Sequence, residues 1–184
     1  MARFLATHQV PRVMLDVGGT HDFWKGSVSA VDILNPDTQG ESRDGLKTFH
    51  GDGCALPFPN KSYPLVFSNS VIEHVGNYTR QQAFAREARR VGVALWVQTP
   101  AFEFPFEPHF LAPFIHYAPA MIRPFLARWL TPRGWLDRAG TEELLTTGVR
   151  LLSYREMRAL FPDCEIFVER FLGIFPKSYV AIRR

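Results

Sequence analysis

Three aspartates, a glycine pair and three histidines are the residues through which this chain could do chemistry. In VMLDVGGTHDFW, residues 13–24, a hydrophobic run carries Asp16 and ends on Gly18-Gly19. A dinucleotide loop needs G-x-G-x-x-G, so that backbone N–H groups can approach a pyrophosphate. Here Phe23 stands at the third glycine, and Asp22 puts a negative charge where the anion would sit. No G-K-[ST] occurs, which excludes a P-loop as well. The loop suits a ligand without phosphates. Asp16 falls on a first strand, Asp32 towards the tip of a second and Asp52 just after a third. Ligands of open parallel sheets bind outside the carboxyl ends of the strands. There, an acid on the second strand can accept both hydroxyls of a ribose, and one after the third can accept from an adenine amine.

His74, Glu107, His109 and His116 are the candidates for proton transfer. His109, close to Glu107, is the first choice for a base that would take a proton from an acceptor group, with His74 as the second. Glu107-x-His109 with His116 matches no standard metal spacing, so no metal is expected.

The elements that must position these residues are short. Val13 to Val17, Val28 to Leu34, Lys47 to His50, Leu65 to Ser68 and Leu95 to Thr99 read as strands. Most lack clean alternation, which predicts burial on both faces of a parallel sheet. Asn77 caps a predicted helix from Tyr78 to Val91, and Ser153 with Glu156 forms a capping-box pattern for a helix ending at Phe161-Pro162. Glu165 to Phe171 and Ser178 to Ile182 follow as an antiparallel pair. The first two crossovers are too short or too polar for full helices, so one face of the sheet is expected to be thinly covered.

Residues 101–150 have a different character. AFEFPFEPHFLAPFIHYAP packs six Phe or Tyr, four Pro and two His into nineteen residues. In AMIRPFLARWL, Met121, Ile122, Phe125, Leu126, Trp129 and Leu130 recur at helical spacing, with Arg123 and Arg128 off the stripe. The expectation is a lid helix packed on the sheet. The same composition leaves peripheral membrane contact through 119–135 open. The chain reads as one domain, 1–184, with 101–150 an aromatic, proline-rich lid insertion.

Net charge is +3 with dispersed basic residues, which argues against a nucleic-acid partner. Cys54 and Cys164 have no metal or redox spacing and read as reduced thiols of a cytoplasmic protein. No run approaches the roughly 18 apolar residues of a membrane span.

GDGCALPFPNKSYPLVFSNSVIEHV, residues 51–75, resembles the segment of class I S-adenosylmethionine-dependent methyltransferases that reads D-A-x-x-L-P-F-x-D-x-S-F-D-L-V-x-S-x-x-x-x-E-H-V. The resemblance covers residues 11–100 and, as closing helix and hairpin, 151–184. FEPHF, residues 106–110, is similar to a segment of small bacterial members. The family's first motif is usually D-x-G-x-G-x-G; Thr20 and Asp22 stand at its second and third glycines. The resemblance implies an α/β, Rossmann-like fold with a mostly parallel seven-stranded sheet and an antiparallel C-terminal hairpin. It implies S-adenosylmethionine as cofactor. Asp16, Gly18 and Gly19 would line the methionine moiety, and Asp32 with Ile33 the ribose. Asp52, Gly53 and Cys54 would face adenine, and Ser68 and Asn69 would border the cofactor. The expected reaction is methyl transfer to a small or amphiphilic acceptor, including a lipid-linked one. O-methylation is favoured because SNSV replaces the Asn/Asp-Pro-Pro-Tyr motif of amino-directed members. The alternatives are a catalytically inactive binding or regulatory protein on the same fold, and a nicotinamide-dependent reductase. The thinly covered sheet face leaves a homodimer open.

Overall fold

The computed structural model describes residues 14–25, 31–38, 40, 42–43, 46–107, 109–119 and 121–184. Val13 and residues 28–30 of the expected strands lie outside them. Strand β1 (Met14–Val17) leads into a single helical turn, α1 (His21–Trp24). Next come β2 (Val31–Asn35), a two-residue strand β3 (Ser42–Arg43), β4 (Leu46–His50) and β5 (Tyr63–Asn69). Helix α2 (Tyr78–Val91) follows with the bounds expected from its Asn77 cap, whose side chain accepts from the Arg80 amide at 3.1 Å. It runs straight into β6 (Gly92–Pro100).

One sheet holds the molecule together, in the order β3-β4-β2-β1-β5-β6-β10-β9, where β9 is Glu165–Phe171 and β10 is Phe175–Arg183. The pairs among β4, β2, β1, β5 and β6 are parallel, and β10 is antiparallel to both β6 and β9. Seven strands thus make the expected sheet, and β3 adds a short antiparallel edge to β4. The central strands are buried on both faces, which is why their sequences do not alternate.

The two faces differ. On one, Leu15, Val17, Leu34 and Val66 pack against Phe84, Ala85 and Ala88 of α2 and against Met157 and Leu160 of helix α6 (Tyr154–Leu160). The capping box of α6 is formed, with Ser153 and Glu156 satisfying each other's backbone amides. On the other face, Met14, Ile33, Leu46, Phe67 and Trp96 are covered, among the described residues, by Trp24. Phe67 stacks between Trp96, with ring centroids 4.7 Å apart, and Phe23, at 6.2 Å. Large aromatic area on one helical turn does here what a full crossover helix would otherwise do.

Between β6 and α6 the chain forms a ribbon, β7 (Phe106–Glu107) and β8 (Ala112–Pro113), and three helices, α3 (Arg123–Leu130), α4 (Pro132–Leu136) and α5 (Arg138–Thr147). Their small core consists of Phe110, Ala112, Ile115 and Ala127, with Leu126, Leu144 and Leu145 beside it. Helix α3 packs on its neighbours through Ala127, not on the sheet through its apolar stripe. Met121 is 94% exposed, and Ile122, Phe125, Trp129 and Leu130 also face outward. The expected lid packing is therefore corrected: the smallest residue of the helix is the buried one, because α4 and α5 approach closely on that side.

Candidate active site

All five parallel strands end on the same side, and the loops that leave them build a cleft there. β1 supplies Gly18, whose amide donates to the Leu34 carbonyl at 2.7 Å. Its φ is +84°, and a Cβ there would meet the Val71 side chain at 2.5 Å. A Cβ on Gly19 would lie 1.9 Å from Asp16 Oδ2. A Cβ on Gly53 would meet Phe84 and Val17 at 2.9 Å. Side chains are excluded at all three points, so the backbone itself forms the floor.

The cleft has two lobes that share Gly18. The larger, about 380 Å³, is bordered by Leu34, Pro36, Asp52, Gly53, Val71 and His74. The smaller, about 170 Å³, is bordered by Asp16, Gly19, Thr20, Phe23, Phe67 and Asn69. Asp16, Gly18, Gly19, Asp52, Gly53 and Asn69 thus meet at one cleft, as do Thr20 and Phe23.

Asp16 is 2% exposed, and its Oδ2 accepts from Trp24 Nε1 at 2.5 Å. Its Oδ1 has no hydrogen-bond partner among the described residues. Burial pushes its carboxyl up to about 7, against the opposing effect of the Trp24 hydrogen bond. Asp52 Oδ1 accepts from the Cys54 amide at 2.9 Å, and the Arg80 guanidinium grips both its oxygens at 2.9 and 3.1 Å. Burial opposes ionisation of Asp52, but the Cys54 amide and Arg80 together hold its carboxyl below the ordinary value. Cys54 contributes that amide, while its thiol donates to the Arg80 carbonyl at 3.3 Å and is pushed up to about 11 by burial and by Asp52.

Three expected positions differ. Asp32 is the second residue of β2, three residues short of its end, which sets it about 10 Å back from the cleft. It accepts from Tyr63 Oη at 2.7 Å. Ile33 points to the opposite sheet face and is fully buried beside Met14 and Phe67. Ser68 is also fully buried, and its hydroxyl donates to the Val17 carbonyl at 2.9 Å, tying β5 to β1. The strand tip expected for Asp32 belongs to Asn35. Its Nδ2 donates to the Gly19 carbonyl at 3.0 Å, and its Oδ1 accepts from the Asp37 amide at 2.8 Å. The signal for it is the Asn35-Pro36-Asp37 turn, which marks where the strand stops. Val71 and Arg80 at the cleft have no signal of their own.

Beside the larger lobe, the catalytic candidates converge. His74 ends the 3₁₀ turn Ile72–His74 that follows β5, and the β7–β8 ribbon brings His109 to it. Their Nε2 atoms lie 3.2 Å apart. His109 Nδ1 is 2.6 Å from Glu107 Oε1, and Glu107 Oε2 accepts from the Phe110 amide at 2.8 Å. Burial opposes a charge on His109, but Glu107 raises it above its ordinary value; His74 is lowered by burial and then by His109. His116 stands apart from this pair, with Nε2 3.0 Å from the Phe102 carbonyl.

A sheet of this order, with its cleft over β1, β2, β4 and β5, defines a Rossmann-like methyltransferase fold. Residues 20–93 match the model of a family described as a methyltransferase domain. The sequence matches no curated protein. Among solved structures, the chain is similar to a methyltransferase ascribed to an antibiotic biosynthesis pathway in Anabaena variabilis. The identity is 15% and the TM-score 0.57, over 92% of this chain and 63% of that one. It is also similar to S-adenosylmethionine-dependent methyltransferases of Methanosarcina mazei and Archaeoglobus fulgidus. The first has 15% identity and a TM-score of 0.58, over 99% of this chain and 96% of that one. The second has 10% identity and a TM-score of 0.59, over 99% and 90%. The chain spans less than two thirds of the Anabaena protein's length. These likenesses show the fold of S-adenosylmethionine-dependent methyltransferases, and the family match covers residues 20–93 of this chain.

Proposed function

We propose that the protein transfers the methyl group of S-adenosylmethionine to a hydroxyl of a small or amphiphilic acceptor. The observation that carries this reading is the two-lobed cleft, floored by glycines and closed at its small end by the half-satisfied Asp16 carboxylate. The larger lobe suits an adenosyl group, with Asp52 and Gly53 at the adenine and Asn35 with Pro36 nearest the ribose. The smaller suits a methionine tail, whose amino group would give Asp16 Oδ1 the partner it lacks. S-adenosylmethionine supplies a methyl group already activated on a sulfonium. The chain's own work is then to align the acceptor and remove its proton. His74 borders the cleft and hands the proton on to His109, where Glu107 holds the resulting cation.

The acceptor side is built by the insertion. Phe110, Pro124, Leu144 and Leu145 line a cavity of about 220 Å³, with Glu107 and Arg123 as its charged members. An apolar body with one anionic or polar group fits that lining. The register Ser178↔Pro100 carries the hairpin tip, residues 171–175, beyond the carboxyl end of β6, on the cleft side of the sheet. Leu172 and Ile174 are exposed there, as are Met121, Phe125, Trp129 and Trp135 on the insertion. Such an apolar rim suits a lipid-linked acceptor drawn from a membrane surface by residues 119–135. Among the described residues no helix is long and apolar enough to cross a membrane.

Calorimetry with S-adenosylhomocysteine tests the cofactor site. Saturable heat is expected, weakened about tenfold in Asp52→Ala, the value of one lost charge-assisted hydrogen bond. No heat at millimolar ligand would sink the reading and favour a binding protein without catalysis. Label from methyl-tritiated cofactor should enter an ether, and His109→Ala should slow that transfer with S-adenosylhomocysteine affinity unchanged. For the rim, co-sedimentation with anionic vesicles and a blue-shifted tryptophan emission are expected, both lost in Phe125→Glu. A wild-type protein that stays in the supernatant would remove the membrane part.

A further inference from the structure

We propose that Glu73, His74 and His109 form a binding site for a divalent transition-metal ion of the zinc class beside the cofactor cleft. The sequence predicts no metal, because Glu107-x-His109 with His116 matches no standard spacing; Glu73 and His74 lie outside that set. The fold brings His109 across 35 positions to a Glu-His pair already fixed at the end of β5. One ligand atom from each of the three lies within 4.8 Å of the other two. The two Nε2 atoms are 3.2 Å apart, and two nitrogens that share a tetrahedral ion at about 2.0–2.1 Å stand about 3.3 Å from each other.

Glu73 is the independent observation. Its side chain is fully buried, Oε2 accepts from Thr99 Oγ1 at 2.9 Å, and Oε1 has no hydrogen-bond partner among the described residues. A buried carboxylate oxygen without a partner is costly in any protein, and a bound cation satisfies it. The surroundings supply what metal ligands need. Glu107 orients His109 through Nδ1, leaving Nε2 for the ion, as a carboxylate does behind many zinc-bound histidines. Thr99 fixes Glu73 in the same way. His74 is exposed to the cleft, which gives an entry path and leaves a coordination position open. Two imidazoles and one carboxylate select zinc, iron, cobalt or manganese over magnesium or calcium.

Bound there, the ion would replace the His74-to-His109 proton relay, because both Nε2 lone pairs would then be on the metal. The role follows from the acceptor reading above and rests on it: a hydroxyl bound at the open position loses its proton to solvent more readily, and its oxygen then faces the cleft. The binding of the ion rests on the three side chains alone.

The test uses tag-free full-length protein, with no cofactor or acceptor present. Titration with Zn²⁺ should show one equivalent bound per chain. Co²⁺ should give the intense visible absorption of a site with four or five ligands. Glu73→Gln and His109→Asn should each abolish the Co²⁺ spectrum. Glu107→Gln, behind the ligands, should weaken binding about 10–100-fold. Far-UV circular dichroism and a cooperative melt, measured on the same variants, report that they are folded, and S-adenosylhomocysteine binding is measured beside them. Should Zn²⁺ fail to bind stoichiometrically, or bind undiminished in both ligand variants, the proposal falls. If the ion binds and S-adenosylhomocysteine does not, the methyl-transfer reading fails and the metal site stands. If S-adenosylhomocysteine binds and the ion does not, the metal site falls and methyl transfer stands.

Discussion

Gly19→Ala is expected to leave no measurable binding of S-adenosylhomocysteine. The added Cβ would lie 1.9 Å from Asp16 Oδ2 and 2.4 Å from Cγ. Asp16 cannot yield, because it is buried and held by the Trp24 indole at 2.5 Å. Trp24 in turn cannot yield without uncovering Phe67 and Ile33 on the thinly covered face. The loop must therefore lift into the smaller lobe, which is where the methionine tail would lie. Overpacking of this kind costs about 1–3 kcal/mol in the folded protein, so the variant should still fold but melt several degrees lower. Gly18→Ala should act alike from the other side, through Val71 and a backbone φ of +84°. Calorimetry on the folded variant decides the matter. An affinity within threefold of the parent would show that this loop is not the methionine subsite.

The second large effect is a pH dependence carried by Asp16. Its carboxyl is pushed up to about 7 by burial, from an ordinary 3.8. In the apo protein the protonated form is favoured, so its contribution to stability is fully present below 3.8 and is lost as pH rises through about 7. The apo melting temperature should therefore fall between pH 5 and pH 8. Glu73, also pushed up to about 7 by burial, adds to that fall with the same sign, so Asp16→Asn removes only part of it. Cofactor affinity should run the other way. The positive amino group of a bound methionine tail favours ionised Asp16, so affinity for S-adenosylhomocysteine should rise by up to about tenfold per pH unit below 7, then level off. Asp16→Asn should bind more weakly at pH 8 and show a flat profile from 5.5 to 8. A parent protein whose affinity is the same at pH 5.5 and pH 8 would place the amino group elsewhere.

Much of the architecture is legible in the sequence because local signals coincide with it. The Asn77 cap and the Ser153–Glu156 box each act over a few residues, and each of these two helices forms where its signal stands. The hairpin is legible for the same reason. The ends of strands are less so. An apolar run taken from Val28 to Leu34 puts Asp32 towards its tip. The strand runs Val31–Asn35, and its last residue is Asn35, ahead of the Pro36 that cannot continue a paired strand. One shift of that kind moves the expected ribose ligand out of the cleft and turns Ile33 into the core, because successive strand residues face opposite ways. The stripe on α3 misleads for another reason. Helical spacing reports that a face is apolar, and it says nothing about which face a neighbour covers; Ala127 is the buried residue because small side chains permit close approach.

By itself, then, the sequence determined the fold class and the glycine floor of the cleft. These depend on strand order and on the absence of side chains at Gly18, Gly19 and Gly53, both written in the residues directly. Only the tertiary structure decided the rest. It left Asp32 three residues short of the strand end and put Asn35 at the tip. It also joined Glu73 and His74 to His109 and Glu107 from a separate ribbon. Distances of a few ångströms between residues 35 positions apart depend on how a loop packs over a strand end, and no local pattern of residues encodes them.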